Sequence, residues 1–357
     1  MSHNMTALKI GCGKYYHGQG AVNRLADEIV RLGGRAFIIG GKSTLDLVMN
    51  AVANQLDRSS VSYYTSYHTA QCTTEWAQHY ADIALKNNCT VLVACGGGKC
   101  IDTVKCASVY SELPIITVPT SIATCVATSM VAIMYDDSGK RTISVKLKKA
   151  IDVCIADDDL IGTAPRRLLA AGIFDSIAKL PESFHLKRVS SYLDCNLCEY
   201  IQIKNAEIIY EFLKNEAVDL YTNGKDARLF SDCILTNLLH TSIVSGFADG
   251  SGQLALAHAA YDFMRNNNTQ NSASHLHGEI VAVGILIQMA FNQYPQKEID
   301  EIYNLMKYMD MPLNLNDLDY DITPDSLDLF FNILAASSNI TSKEDLALLK
   351  KAIETVV

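Results

Sequence analysis

The sequence predicts two parts: an α/β N-terminal domain built on a Rossmann-like parallel sheet, then an all-α C-terminal domain. Three observations carry this. At 357 residues the chain is too long for one ordinary hydrophobic core. Up to about residue 160, short β-branched runs alternate with longer helical stretches, the mark of a sheet covered on both faces. Beyond that point long apolar-periodic segments dominate and few β-branched clusters interrupt them. The predicted domains are residues 1–160 and 161–357.

In the first domain the strand candidates are RAFIIG (35–40), SVSYYTS (60–66), VLVAC (91–95), IITV (115–118) and MVAIMY (130–135). Between them AVNRLADEIVRL, TLDLVMNAVANQL, EWAQHYADIALKNN and IDTVKCASVYSEL read as helices. Thr163, Ala164 and Pro165 read as a helix entry, with proline in the first turn. The second domain then runs through RRLLAAGIFDSIAKL, AEIIYEFLKNEAVDLY, RLFSDCILTNLLHTSIVSGFA, GQLALAHAAYDFM, EIVAVGILIQMAFNQY and KEDLALLKKAIETVV. Asn266 to Ser274 reads as a loop. There is no internal repeat or low-complexity tract.

Composition narrows the function. The chain is 49% hydrophobic and 19% charged with a net charge of −9, which argues against a nucleic-acid partner. MSHNMTALKIG has no apolar signal core, and the apolar runs fall short of the roughly 20 residues of a membrane span. A cytoplasmic protein acting on a small molecule is the expectation. Eleven cysteines, an odd number scattered through apolar segments, read as small buried hydrophobes rather than a disulfide framework. Cys195 and Cys198 form one CxxC without a second pair, and read as neighbours on a buried helix face.

CGGGKCIDTVK (95–105) follows a predicted strand and opens a predicted helix. Its glycines allow a sharp turn and close backbone approach, and the helix N–H groups behind them suit an anion. IIGGKST (38–44) and VPTS (118–121) occupy equivalent strand ends. Three such loops on one rim point to a dinucleotide site.

Three titratable residues stand in apolar surroundings: Asp175 in LLAAGIFDSIAKL, His258 in LALAHAA and His277 at the head of a core helix. A carboxylate and two imidazoles suit zinc or iron with one position open. Each also has a plain structural reading: Asp175 could pair with Lys179, His258 could be a satisfied core histidine, and His277 could simply start a helix. His275 competes with His277, but its polar neighbours place it nearer solvent.

Together GGGKCIDTVK, VPTSIATCVATSMVAIMYDDSGK, AGIFDSIAK, LALAHAA and HLHGEIVAVG resemble, in order, the segments of the iron-containing (group III) alcohol dehydrogenase superfamily. The likeness is greatest to its glycerol dehydrogenase-like and hydroxycarboxylate dehydrogenase-like branch. The resemblance implies a dehydroquinate synthase-like architecture, an NAD(P)(H) cofactor and one divalent metal, Zn2+ or Fe2+, with substrate in a cleft between the domains. It implies that Asp175, His258 and His277 bind the metal. Gly97, Gly98 and Lys99 would cradle the pyrophosphate. Gly41, Lys42, Asp102, Thr120, Ser121, Thr124, Ser129, Val131 and Tyr135 would complete the cofactor site, and Cys125 and His258 would face substrate. The chemistry implied is hydride exchange between nicotinamide and a small hydroxy or oxo compound, in a homo-oligomer.

Four departures from the family pattern matter. Gly41, followed by Lys42 and Ser43, stands where NAD-preferring relatives carry an acidic residue, which favours NADP(H). Cys125 replaces an aspartate that contacts polyols, which shifts the expectation toward 2-hydroxy and 2-oxo acids. Tyr261 replaces a common histidine; its hydroxyl could relay a proton or bond the substrate. Phe174 replaces a glycine beside Asp175 and Pro181 follows, so that helix should be short. The alternatives are a cyclase or lyase of the dehydroquinate synthase type, or a catalytically impaired relative.

Overall fold

The computed structural model describes residues 10–222, 227–247 and 255–357. The chain divides into two compact units. Among the described residues, one contains 10–165 together with 230–242; the other contains those of 166–229 and 243–357. The C-terminal half thus returns one helical segment, 230–242, to the α/β unit.

The strands of that unit are β1 (Cys12–Gly18), β2 (Arg35–Gly40), β3 (Ser62–Tyr67), β4 (Val91–Gly96), β5 (Ile115–Pro119), β6 (Val131–Tyr135), β7 (Arg141–Lys146) and β8 (Ile151–Asp157). Six form a parallel sheet in the order β1-β8-β5-β4-β2-β3. β4 and most of β2 are buried along their length, which is why they stand out as continuous apolar runs. MVAIMY behaves differently from the expectation. It pairs antiparallel with β7 in a separate two-stranded sheet, and its alternating burial suits a ribbon covered on one face. Three strands, β1, β7 and β8, went unread in the sequence. β8 is central, but Asp152 and Asp157 interrupt its apolar run. Asp152 accepts from the Ile115 N–H; Asp157 accepts from Val22 and caps the next helix at Asp159 and Leu160.

The helices of this unit are α1 (Leu25–Arg31), α2 (Lys42–Arg58), α3 (Thr74–Lys86), α4 (Gly98–Ser111) and α5 (Asp158–Ile161). Strand order reverses between β2 and β4. Ligands of doubly wound sheets bind at such a switch point, outside the carboxyl ends of the strands. Those ends are Gly40 and Gly96. A Cβ on Gly40 would lie 2.6 Å from the Cys95 carbonyl oxygen, and Gly96 has φ +145°, so both positions require glycine.

The second unit is helical: α6 (Arg166–Ile177), α7 (Lys179–Ser183), α8 (Leu197–Thr222), α11 (Leu256–Asn267), α12 (His277–Phe291), α13 (Gln296–Tyr308), α14 (Pro324–Ser337) and α15 (Lys343–Ile353). Between α8 and α11, helices α9 (Ala227–Leu235) and α10 (Thr241–Phe247) flank a π-helical turn, Thr236–His240. α6 starts directly after Pro165, as its entry signal suggests. It is short, as expected: Pro181 has no N–H to give the Ile177 carbonyl, and the helix breaks at Ala178 before α7 resumes. The expected loop from Asn266 begins later, because α11 runs through Asn267 and a 3-10 turn follows at Asn271–Ser274. Among the described residues no helix is long and apolar enough to cross a membrane.

All eleven cysteines are free, and seven are buried. Cys195 and Cys198 depart from the expected buried helix face. Cys195 precedes α8, Cys198 lies in its first turn, and both are half-exposed.

Candidate active site

The α/β unit supplies a candidate anion cradle. α4 begins at Gly98, and no side chain caps its N-terminus, so its first N–H groups suit an anion. A Cβ on Gly97 would sit 3.7 Å from Ser121 Oγ, and one on Gly98 3.8 Å from Thr124 Oγ1. The loop after β5 therefore brings two hydroxyls over the glycines. Lys99 is exposed beside them. Gly41 precedes the first turn of α2, and Lys42 and Ser43 are exposed there.

Asp102 points the other way. Its carboxylate pairs with Lys105 Nζ at 2.8 Å and accepts from the Ile133 N–H at 3.0 Å, so it serves the interior. Lys105 is fully buried; it also donates to Ser129 Oγ and to the carbonyls of Val126 and Val131. One cation thus pins the segment 126–131 that carries Ser129 and Val131. Thr120 is buried with its N–H on the Gly96 carbonyl, and the Tyr135 N–H donates to Cys72. Reading the sequence missed the role of Lys105, although its i+3 spacing from Asp102 was visible. Lys105→Met leaves a buried carboxylate without its cation and should cost about 3 kcal/mol in urea unfolding. Nucleotide affinity should fall with it.

The helical unit supplies the metal candidates. Asp175, His258 and His277 each offer a ligand atom, and all three atoms lie within 4.8 Å of one another. α12 makes this possible. A Cβ on Gly278 would lie 1.8 Å from the Ala171 carbonyl oxygen, and one on Gly284 2.7 Å from Ala257 Cα. These two glycines let α12 lie against α6 and α11. Asp175 Oδ1 lies 3.3 Å from His258 Nε2 and 3.4 Å from His277 Nε2. That oxygen is buried and makes no hydrogen bond. A buried carboxylate oxygen facing two imidazole nitrogens is a donor set that a divalent cation satisfies.

Neighbours fix the ligands. Glu182 accepts from the His258 backbone N–H at 2.9 Å and meets its Nδ1 at 2.7 Å, leaving Nε2 for a cation. Tyr261 packs edge-on against His277 with centroids 4.2 Å apart, and Arg265 lies over the tyrosine ring. Glu279 accepts from the Leu276 N–H and pairs with Arg167, anchoring the first turn of α12. Glu182 is a functional residue that sequence reading missed; its signal was a carboxylate seven residues after Asp175 in the same apolar stretch.

The plain reading of Asp175 is present in the geometry: Lys179 Nζ stands 3.6 Å from Oδ1, and 3.2 Å from His258 Nε2. His275 corrects an expectation. Its side chain is less exposed than that of His277, 13% against 25%. Direction rather than burial separates them, since His275 turns to Asp319 at 3.0 Å and is held near Glu279. Phe174 is fully buried in the core, and Cys125 is half-exposed at the start of a 3-10 turn in the α/β unit.

Burial alone would raise the Asp175 carboxyl, but Lys179 and the two imidazoles hold it well below the usual carboxylate range. Burial alone would also lower His258; the charge of Glu182, its bond to Nδ1 and the nearby Asp175 carboxylate outweigh it and hold the imidazole at about 9. Burial lowers His277, against the pull of Asp175. His258 is therefore protonated at neutral pH in the metal-free protein, and a metal must displace that proton. Metal affinity should rise about tenfold per pH unit up to about pH 9 and level off above it. Chelator competition from pH 6 to 10 measures this, and a flat profile contradicts it.

A sequence profile described as "Iron-containing alcohol dehydrogenase" matches residues 12–158. Glycerol dehydrogenase of Thermotoga maritima is 27% identical over 324 residues, covering 89% of this chain and 86% of that one. Hydroxycarboxylate dehydrogenase A of Escherichia coli is 25% identical, covering 90% and 88%. The crystal structure of glycerol dehydrogenase from Schizosaccharomyces pombe superposes with a TM-score of 0.84 at 20% identity, covering 98% of this chain and 89% of that one.

Proposed function

We propose that the chain is a member of the iron-containing alcohol dehydrogenase superfamily, a metal-dependent NAD(P)(H) oxidoreductase of small hydroxy or oxo compounds, and that Asp175, His258 and His277 hold its metal. The observation that carries the proposal is the convergence of three ligand atoms within 4.8 Å on helices α6, α11 and α12. When bound by these three residues, a divalent ion would supply Lewis acidity toward a substrate hydroxyl or carbonyl, and a nicotinamide would supply the hydride acceptor or donor. The chain's own residues prepare this. Glu182 orients His258, Tyr261 packs His277, and the buried side of the cluster excludes water from Asp175. The relatives act as dehydrogenases, which favours this reading over a cyclase or lyase.

In the α/β unit, Gly97, Gly98 and Lys99 would take the pyrophosphate, with Ser121 and Thr124 above them and Thr120, Ser129, Val131 and Tyr135 around the rest of the dinucleotide. The exposed Lys42 and Ser43, which open α2 after Gly41, offer a cation and a hydroxyl, which suits a 2′-phosphate. NADP(H) is therefore accepted and slightly favoured. Lys42→Ala should lower kcat/KM for NADPH about tenfold while leaving that for NADH within about twofold. Equal losses with both cofactors contradict the assignment.

The deciding experiment is metal analysis with a nicotinamide absorbance assay over glycerol, vicinal diols, 2-hydroxy acids and 2-oxo acids. The reading requires about one divalent ion per chain and turnover of at least one compound. Zinc and iron both suit the donor set, and reconstitution with each shows which supports turnover. A cytoplasmic homo-oligomer completes the reading, and sedimentation tests the assembly.

A further inference from the structure

We propose that the outward face of α8 is where two copies of this chain meet, antiparallel about a two-fold axis near Ile208. The inference rests on the homo-oligomer of the reading above and adds its surface. Two faces are written into the 26 residues of α8. One side, with Ala206, Ile209, Leu213 and Leu220, is buried, and the helix packs against α6, α7 and α13. The opposite side carries Leu197, Ile201, Lys204, Ile208, Glu211, Asn215 and Val218, every one of them exposed. These positions alternate at four and three residues, the spacing with which one helix packs along another. A helix that met only water there would need polar residues, not leucine, isoleucine and valine at that period.

The apolar members stand well out: Leu197 is 63% exposed and Ile208 66%. The turn before α8 extends the face. Asp194 accepts from the N–H groups of Ser190 and Ser191, which fixes the turn presenting Tyr192 and Leu193, and the Tyr192 ring meets that of Tyr200 at 6.2 Å. With these two, the apolar side chains of the face expose roughly 650 Å², at the upper end for one patch on a monomer and most of the ~800 Å² that each partner brings to a stable interface.

Charge sets the direction. Lys204 lies one turn before Ile208 and Glu211 one turn after it. A parallel pair of helices would set lysine against lysine and glutamate against glutamate. An antiparallel pair crossing at Ile208 sets Lys204 beside Glu211 of the partner subunit, twice over, and brings Leu197 toward Val218 of the partner subunit. A closed two-fold contact requires such self-complementarity. Lys204 also bonds Glu207, but its side chain is 48% exposed and an ammonium has three donors. One lysine on this face, in a chain of net charge −9, does not suit an anionic lipid surface.

Sedimentation equilibrium of the full chain across the micromolar range is the test. The parent should sediment as a dimer or a multiple of one. Ile208→Glu sets two carboxylates at the axis and should weaken pairing at least 100-fold, and its melting temperature should lose the rise with protein concentration that the parent shows. Lys204→Glu and Glu211→Lys should each weaken pairing at least tenfold. Combined, they should restore it to within about threefold of the parent, because both ion pairs re-form with the signs exchanged. A monomeric parent, an Ile208→Glu protein of the parent's mass, or a double variant no tighter than the single ones overturns the proposal. So does a parent that binds phosphatidylcholine vesicles without self-association. If Ile208→Glu does not fold, the charge exchange decides alone. Metal content and turnover, read on the same samples, report separately on the enzyme: a dimer without metal sinks that reading and leaves the interface standing.

Discussion

Gly278→Ala should be among the most damaging single-methyl changes in this protein. The added carbon would lie 1.8 Å from the Ala171 carbonyl oxygen, a backbone atom of α6 that cannot rotate aside. α12 must back away from α6, carrying His277 from Asp175. Overpacking of this kind costs roughly 3 kcal/mol, and misplaced ligands should weaken metal binding about 100-fold. Thermal unfolding and chelator competition measure the two effects. Gly97→Ala is the informative contrast. There the new methyl meets Ser121 Oγ at an ordinary 3.7 Å with φ at −95°, so stability should hold within about 0.5 kcal/mol. Nucleotide affinity should nonetheless fall, because the methyl would occupy the approach to the α4 N-terminus. If Gly278→Ala unfolds and binds metal like the parent, the tight α6–α12 approach is not what assembles the cluster.

Asp175→Asn should abolish metal binding at micromolar concentrations and turnover with it. The amide keeps the shape but removes a carboxylate that faces both imidazoles and Lys179. It also removes one negative charge from beside that buried lysine, and breaking a buried pair costs about 3–5 kcal/mol. The metal-free protein should therefore lose stability as well, which separates this variant from His258→Ala. That change removes metal and activity while leaving the Lys179–Asp175 pair in place. Retention of one metal per chain and of activity in both variants removes the assignment.

Much of this was legible in the residues alone. β2, β4 and β5 are buried enough to appear as unbroken apolar runs, and GGG between a strand and a helix marked the cradle. Asp175 and His258 were conspicuous because a titratable side chain inside an apolar helix demands a partner. The strands that escaped notice, β1, β7 and β8, are exposed or carry aspartates whose reason for being there is a distant backbone N–H. A residue whose partner is remote in sequence leaves no local signature.

By itself, then, the sequence determined most of the helices and five of the strands, where glycine could admit a phosphate and which three side chains could share a cation. Only the tertiary structure decided that β6 leaves the parallel sheet, that residues 230–242 join the α/β unit, that Asp102 turns inward to Lys105, and that Lys179 and Glu182 complete the cluster. Periodicity and turn chemistry act over a few residues and are written in the chain. The direction of a buried charge depends on which helix lies within 3 or 4 Å of it, and that is set by packing.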